Sequence, residues 1–143
     1  MISVQTDGRQ LKDMVGGNLR KFRNLQPPFR GVAYFMRDDL IQRSIQEVDP
    51  DGKKWAALAP STLRYKRLRG YPDRILTATG KMWTTIRIIY TDKFAEIRVV
   101  IPYAQYHQKG TSKMPQRKLI GLNQKILDYA VKVIRGYIRG RGR

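Results

Sequence analysis

Cysteine is absent from the 143-residue chain, and histidine occurs once. Disulfides, thiolate chemistry and Cys/His zinc clusters are thereby excluded. Acids are scarce: 11 Asp and Glu stand against 29 Lys and Arg, a net charge of +18. No apolar run reaches the length of about 18 residues that a membrane-crossing helix needs, so no membrane partner is expected. The opening residues, MISVQTDGRQ, lack the apolar run of a signal peptide. There is no internal repeat, and low complexity is confined to Arg139-Gly140-Arg141-Gly142-Arg143.

What is present fits one domain, expected over residues 1–138, with 139–143 as a flexible Gly-Arg tail. The basic excess grows along the chain. Residues 1–50 hold 8 basic and 6 acidic side chains, 51–100 hold 11 and 4, and 101–143 hold 10 and 1. Such a charge repels itself unless an anion lies near, which points first to nucleic acid, next to an acidic protein and only third to a membrane surface.

Leu11, Met14, Val15, Leu19, Phe22 and Leu25 recur at helical steps and predict a helix over 9–25, weakened inside by Gly16-Gly17 and ended or turned by Pro27-Pro28. A second helix is predicted over 29–48 from Phe29, Val32, Ala33, Met36, Leu40, Ile45 and Val48, with Arg37, Asp38, Gln42 and Arg43 on its other side. Asp49-Pro50-Asp51-Gly52 has the residue order of a turn. Ser61 is the expected cap of a short helix reaching Leu68, and residues 79–83 read as a helical turn. Ile86, Ile88 and Tyr90 alternate, as do Ala95, Ile97, Val99 and Ile101, predicting two strands joined through 91–94. Pro102 ends the second, and 118–120 reads as a third. A last helix starts at Asn123, with Lys125, Asp128, Lys132, Arg135 and Arg139 in one sector. The fold class expected is α+β: a small, mainly antiparallel sheet packed by two N-terminal helices and one C-terminal helix.

Enzyme motifs fail on residue type. A P-loop needs Ser or Thr after Gly-Lys and a glycine five positions earlier, where Gly80-Lys81 has Met82 and Ile75. An EF-hand beginning at Asp49 and Asp51 meets Lys53 at its third ligand and Pro60 at its twelfth position. Pro50-Asp51 with Glu96-Ile97-Arg98 faintly resembles the paired acids of restriction-type nucleases, without the lysine expected after the second acid. His107 has no acid beside it in sequence, and no serine lies in a nucleophile motif. No catalytic residue, metal ligand or cofactor is assigned.

Three stretches in order resemble the phage virion morphogenesis family of tail-completion proteins of Mu-like and related tailed phages. They are Asp49-Pro50-Asp51-Gly52 with Trp55, Ser61-Thr62 and Lys66; Ile75-Leu76-Thr77-Ala78-Thr79-Gly80 with Trp83; and Tyr103-Ala104 with His107-Gln108 and Gly110, followed by Pro115-Gln116-Arg117 and Gly121-Leu122. The likeness covers about residues 30–135. Lys118 departs from it, standing where a proline or another non-basic residue is expected.

The resemblance implies a non-enzymatic virion component of the tail or neck, present in the host cytoplasm during assembly, which acts in tail completion and head–tail joining. It implies a ring of copies, hexameric by preference, docked on neighbouring neck, tail-tube or connector proteins, with non-specific contact to packaged DNA. A stand-alone non-specific DNA-binding protein and another minor head or baseplate component are the alternatives. Polar, basic loops outside the periodic core supply the candidate subunit contacts: Trp55, Arg64, Lys66, Arg67, Arg69, Lys109, Lys113 and Arg117. Lys125, Lys132, Arg135, Arg139, Arg141 and Arg143 are candidates for DNA or an acidic partner. Gly52, Gly80, Tyr103, His107, Gly110 and Pro115 are expected fold determinants. Trp55 is also expected to anchor its loop by burying its ring, and Gly80 to permit a tight approach before the strands.

Overall fold

The computed structural model describes residues 1–16 and 24–141, with the side chain of Arg141 excepted. The elements run β1 (Ile2–Asp7), α1 (Gly8–Val15), α2 (Gln26–Gln46), α3 (Pro60–Leu68), α4 (Lys81–Thr84), β2 (Ile86–Tyr90), β3 (Phe94–Val99), α5 (Ala104–Lys109) and α6 (Gln124–Arg141). The three strands form an antiparallel sheet in the order β1-β3-β2. The α+β expectation holds.

The sheet's third strand is the N-terminal segment and not 118–120. Ile2, Val4 and Thr6 alternate with polar residues, and this period of two was legible in the opening residues. In register, Val4, Ile97 and Ile88 lie side by side, as do Thr6, Ala95 and Tyr90. This face packs on α2, where the buried Thr6 hydroxyl donates to Met36 Sδ at 3.7 Å. Leu119 and Ile120 are buried elsewhere, Lys118 is exposed, and the backbone of 118–120 is bonded by side chains, as described below.

The first helix is shorter than predicted. Asp7 and Gln10 form a capping box, Asp7 Oδ1 accepting from Gln10 N at 2.9 Å and Gln10 Oε1 from Asp7 N at 3.3 Å. Gly16 ends the helix in the left-handed region at φ 73°, a conformation that costs glycine no steric strain. Leu19 and Phe22 lie outside the described residues. Pro27 and Pro28 open α2 instead of closing the helix before it, since the first helical turn needs no N–H donor there.

Phe29, Val32, Ala33, Met36 and Leu40 of α2 are fully buried. Each large side chain of this kind contributes about 1.5–3 kcal/mol when removed from water. The helix lies between two partners, the sheet on one side and α6 on the other. That explains why Arg43, placed by its spacing on the polar side, is buried. α6 presents Ile126, Ala130 and Ile134 and packs chiefly on α2 and α1 rather than on the sheet. Phe35 and Tyr129 stack there with centroids 4.1 Å apart. The helix runs on to Arg141, so 139–141 continue it where a tail was expected to begin after 138.

Two local expectations change. α3 starts on Pro60 with Ala59 as its cap and no side-chain capping bond, so Ser61 is inside the helix. A Cβ on Gly80 would meet nothing within 4 Å; its φ of 79° sets the turn into α4, and no close approach is involved.

Candidate functional site

The Asp49–Gly52 turn is built by one side chain. Asp49 Oδ1 accepts from the N–H groups of Asp51 and Lys53, both at 2.9 Å. Val48 and Lys54 bridge across the turn, and Trp55 N–H donates to Glu47 O at 2.9 Å. The turn delivers Trp55 inward, where it is 6% exposed. Its ring stacks on Trp83, with centroids 6.4 Å apart and planes 9° from parallel. Its indole N–H donates to Lys118 O at 3.0 Å. Trp83 in turn donates to the Thr77 hydroxyl at 3.1 Å.

The third stretch meets the first through Arg117. Its guanidinium is buried and donates to Ala56 O at 2.8 Å and Ala57 O at 3.0 Å. Lys66 does the same for the second stretch: its buried ammonium donates to the carbonyls of Arg74 and Thr77, the latter at 2.8 Å. Burial holds the Lys66 pKa below its ordinary value, opposed by the charges of Asp73 and Glu47. Glu47 Oε1 accepts from Ile75 N–H at 2.8 Å.

Gln108 supplies what a strand partner would. Its Oε1 accepts from Leu119 N–H at 2.8 Å and Ile120 N–H at 3.1 Å, and its Nε2 donates to Ile120 O at 2.9 Å. Arg43 donates to Leu119 O at 2.8 Å and pairs with Asp39 at 2.8 Å. Asn123 donates to Asp39 Oδ2 and to Pro50 O, and its Oδ1 caps α6 by accepting from Ile126 N–H at 2.9 Å. Gly110 lies so close to Gln116 that a Cβ would sit 2.9 Å from its backbone nitrogen, and its φ of 75° adds a second demand for glycine.

Between these stretches opens a groove of about 540 Å³. Its walls come from the 57–66 segment, the 71–82 segment and the 103–117 segment, and its lining includes Ala57, Leu76, Ala78, Tyr103, His107 and Pro115. The three motif stretches, separated along the chain, thus share one concave surface. His107 packs edge-on to Tyr103, and its buried Nδ1 has no hydrogen-bond partner among the described residues. Burial, then the charge of Arg117, holds its pKa below the ordinary imidazole value.

Burial corrects part of the contact set. Trp55, Lys66 and Arg117 are turned inward, because backbone carbonyls of the loops need donors and these side chains provide them. Arg67 is exposed and pairs with Asp73 at 3.0 Å, and Arg69 lies over the Tyr65 ring. Arg64, Lys109 and Lys113 are exposed. On α6, Lys125, Lys132 and Arg139 are exposed, with Lys125 Nζ 3.9 Å from buried Asp39. Arg135, also exposed, donates to Met14 O at 2.6 Å and Val15 O at 3.4 Å, closing the C-terminal end of α1. Arg143 lies outside the described residues.

Residue typing missed Gln108 and Asp39 as organising groups, and for Asn123 it gave the start of α6 but not the bonds to Asp39 and Pro50. The signal for Gln108 was its place beside His107 in the third stretch. Glu96, weighed as a nuclease acid, is buried and paired with Arg98 at 2.8 Å. Among the described residues no three His, Asp or Glu side chains gather where a metal ion would fit, and no helix is long and apolar enough to cross a membrane.

The order and convergence of the three stretches agree with a match of residues 6–139 to the model of the phage virion morphogenesis family. The chain belongs to the phage virion morphogenesis family. Its role is that of a phage virion, tail-related component. A curated relative, Mu-like prophage FluMu G protein 1 of Haemophilus influenzae (strain ATCC 51907 / DSM 11121 / KW20 / Rd), is 30% identical over 97 residues. That alignment covers 66% of this chain, and the chain spans 66% of the relative's length. No solved structure matches. For this virion morphogenesis protein, the shared groove is the candidate functional site.

Proposed function

We propose that the chain is a non-enzymatic structural subunit that completes the tail and joins it to the head, at the tail terminus or neck. It acts as a ring of copies, six by preference, docked on neck, tail-tube or connector proteins. The supporting observation is how the motif stretches are used: Trp55, Lys66, Gln108 and Arg117 all bond backbone groups of neighbouring loops. Those bonds make a preformed platform for docking. A ring closes by repeating one heterologous contact around an axis.

The charge of +18 supports a second contact, with packaged DNA near the ring's lumen. Exposed Lys125, Lys132 and Arg139 of α6 suit phosphate contacts without sequence preference. A stand-alone DNA-binding role would instead give the isolated chain tight, steeply salt-dependent binding to duplex.

Deletion of the gene followed by electron microscopy of the lysate tests the reading. Tails with aberrant ends, or heads and tails left apart, are expected, with complementation by the wild-type gene. Particles of normal form overturn it, and a defect confined to the capsid or baseplate moves the protein there.

A further inference from the structure

The groove between the three stretches has a charge pattern that the fold does not use. Lys66 and Arg117 give their N–H groups to backbone carbonyls. Lys81 and Lys113 also line it, but both are exposed and, among the described residues, bond to no acid. Among the described residues no Asp or Glu lines the groove, while Leu76, Ala78, Met82 and Pro115 make much of its wall apolar. Tyr65 and Tyr103, 52% and 44% exposed, also line it. Apolar concave surface, aromatic side chains and uncompensated cations suit an occupant with apolar side chains and carboxylates.

We propose that this groove is the docking site for an acidic, apolar-anchored segment of a neighbouring protein, whose carboxylates meet Lys81 and Lys113. The inference rests on the reading that the chain acts by docking. The volume fits a few side chains, and an apolar wall offers nothing to a phosphate backbone. A second copy is a poor occupant. Eight of the chain's 11 acids already cap helices, accept backbone or side-chain N–H groups, or pair with arginines. The remaining Asp13, Asp51 and Asp92 sit in α1, the 49–52 turn and the β2–β3 loop.

The test uses the full chain and a rhodamine-labelled peptide amide, Gly-Asp-Leu-Glu-Phe-Asp-Leu-Glu, followed by fluorescence anisotropy at physiological salt. Lys81→Glu with Lys113→Glu is expected to weaken binding about tenfold or more. Ala78→Trp, at an exposed lining position, is expected to abolish it. Lys53→Glu with Lys132→Glu makes the same charge change at two exposed positions that do not line the groove and is expected to leave binding within about twofold, since distant surface charges are screened. A peptide with Ser for Leu and Phe is expected to bind weakly. No binding of the acidic peptide, equal loss in the two charge-reversed variants, an unaffected Ala78→Trp protein, or a duplex oligonucleotide that binds with the same groove dependence would each overturn the proposal. Unchanged thermal melting of the variants confirms that they fold. The readout is on the isolated chain, so failure here leaves the particle-assembly reading to be judged by the deletion experiment.

Discussion

Gln108 and Leu119 are joined by a side-chain amide acting as a backbone partner: Oε1 of the first accepts the N–H of the second at 2.8 Å. Replacing Gln108 with Leu strands the N–H groups of Leu119 and Ile120, both buried residues. A cost of about 2–4 kcal/mol is expected in urea denaturation. Gln108→Glu keeps an acceptor but loses the donor to Ile120 O, and should fall between. Equal stability of the Leu variant and wild type would show that the amide is not what holds this segment.

The stacked pair Trp55 and Trp83 offers a second measurement. Trp55→Phe removes the donor to Lys118 O and part of the stack, and is expected to cost about 1–2 kcal/mol. Combined with Trp83→Phe, the effects should be non-additive, because the rings touch. Strict additivity in a double-mutant cycle counts against the stack as a joint element.

The Asp39–Arg43 pair is buried on both sides, with 4% and 7% of the side chains exposed. Asp39→Ala leaves a buried guanidinium without its anion, and a loss of about 3–5 kcal/mol is expected. Further loss on adding Arg43→Ala should be smaller than Arg43→Ala causes alone. A thermal melt of the three variants decides this, and an Asp39→Ala protein as stable as wild type refutes the pairing.

His107 gives the fold an acid dependence. Its folded pKa is lowered from 6.5, first by burial and then by Arg117. The unfolded chain therefore takes up this proton at a higher pH than the folded one. The stability linked to His107 is full above 6.5 and is lost as pH falls from there through the lowered folded value. Melting temperature should decline over that window in wild type and decline less in His107→Phe. Parallel profiles would remove His107 as the cause.

Much of this architecture is written locally. Alternation in 86–90 and 95–99, the helical spacing of Phe29 to Leu40, the Asp49–Gly52 turn and the Asn123 cap depend on neighbours in the chain, so periodicity and residue type suffice to find them; the predicted second strand runs on to Ile101, where β3 ends at Val99. The order and spacing of the three motif stretches likewise identify the family. What the linear chain did not disclose is who satisfies whom at long range. Residues 118–120 have strand-like composition, yet Gln108, Arg43 and Trp55 bond their backbone and β1 takes the place in the sheet. Trp55, Lys66 and Arg117 read as basic-loop contacts, yet loop carbonyls draw them inward. A charged side chain's fate rests on whether a buried backbone group within its reach lacks a partner. Sequence sets the supply of donors and acceptors; tertiary packing alone decides which of them meet.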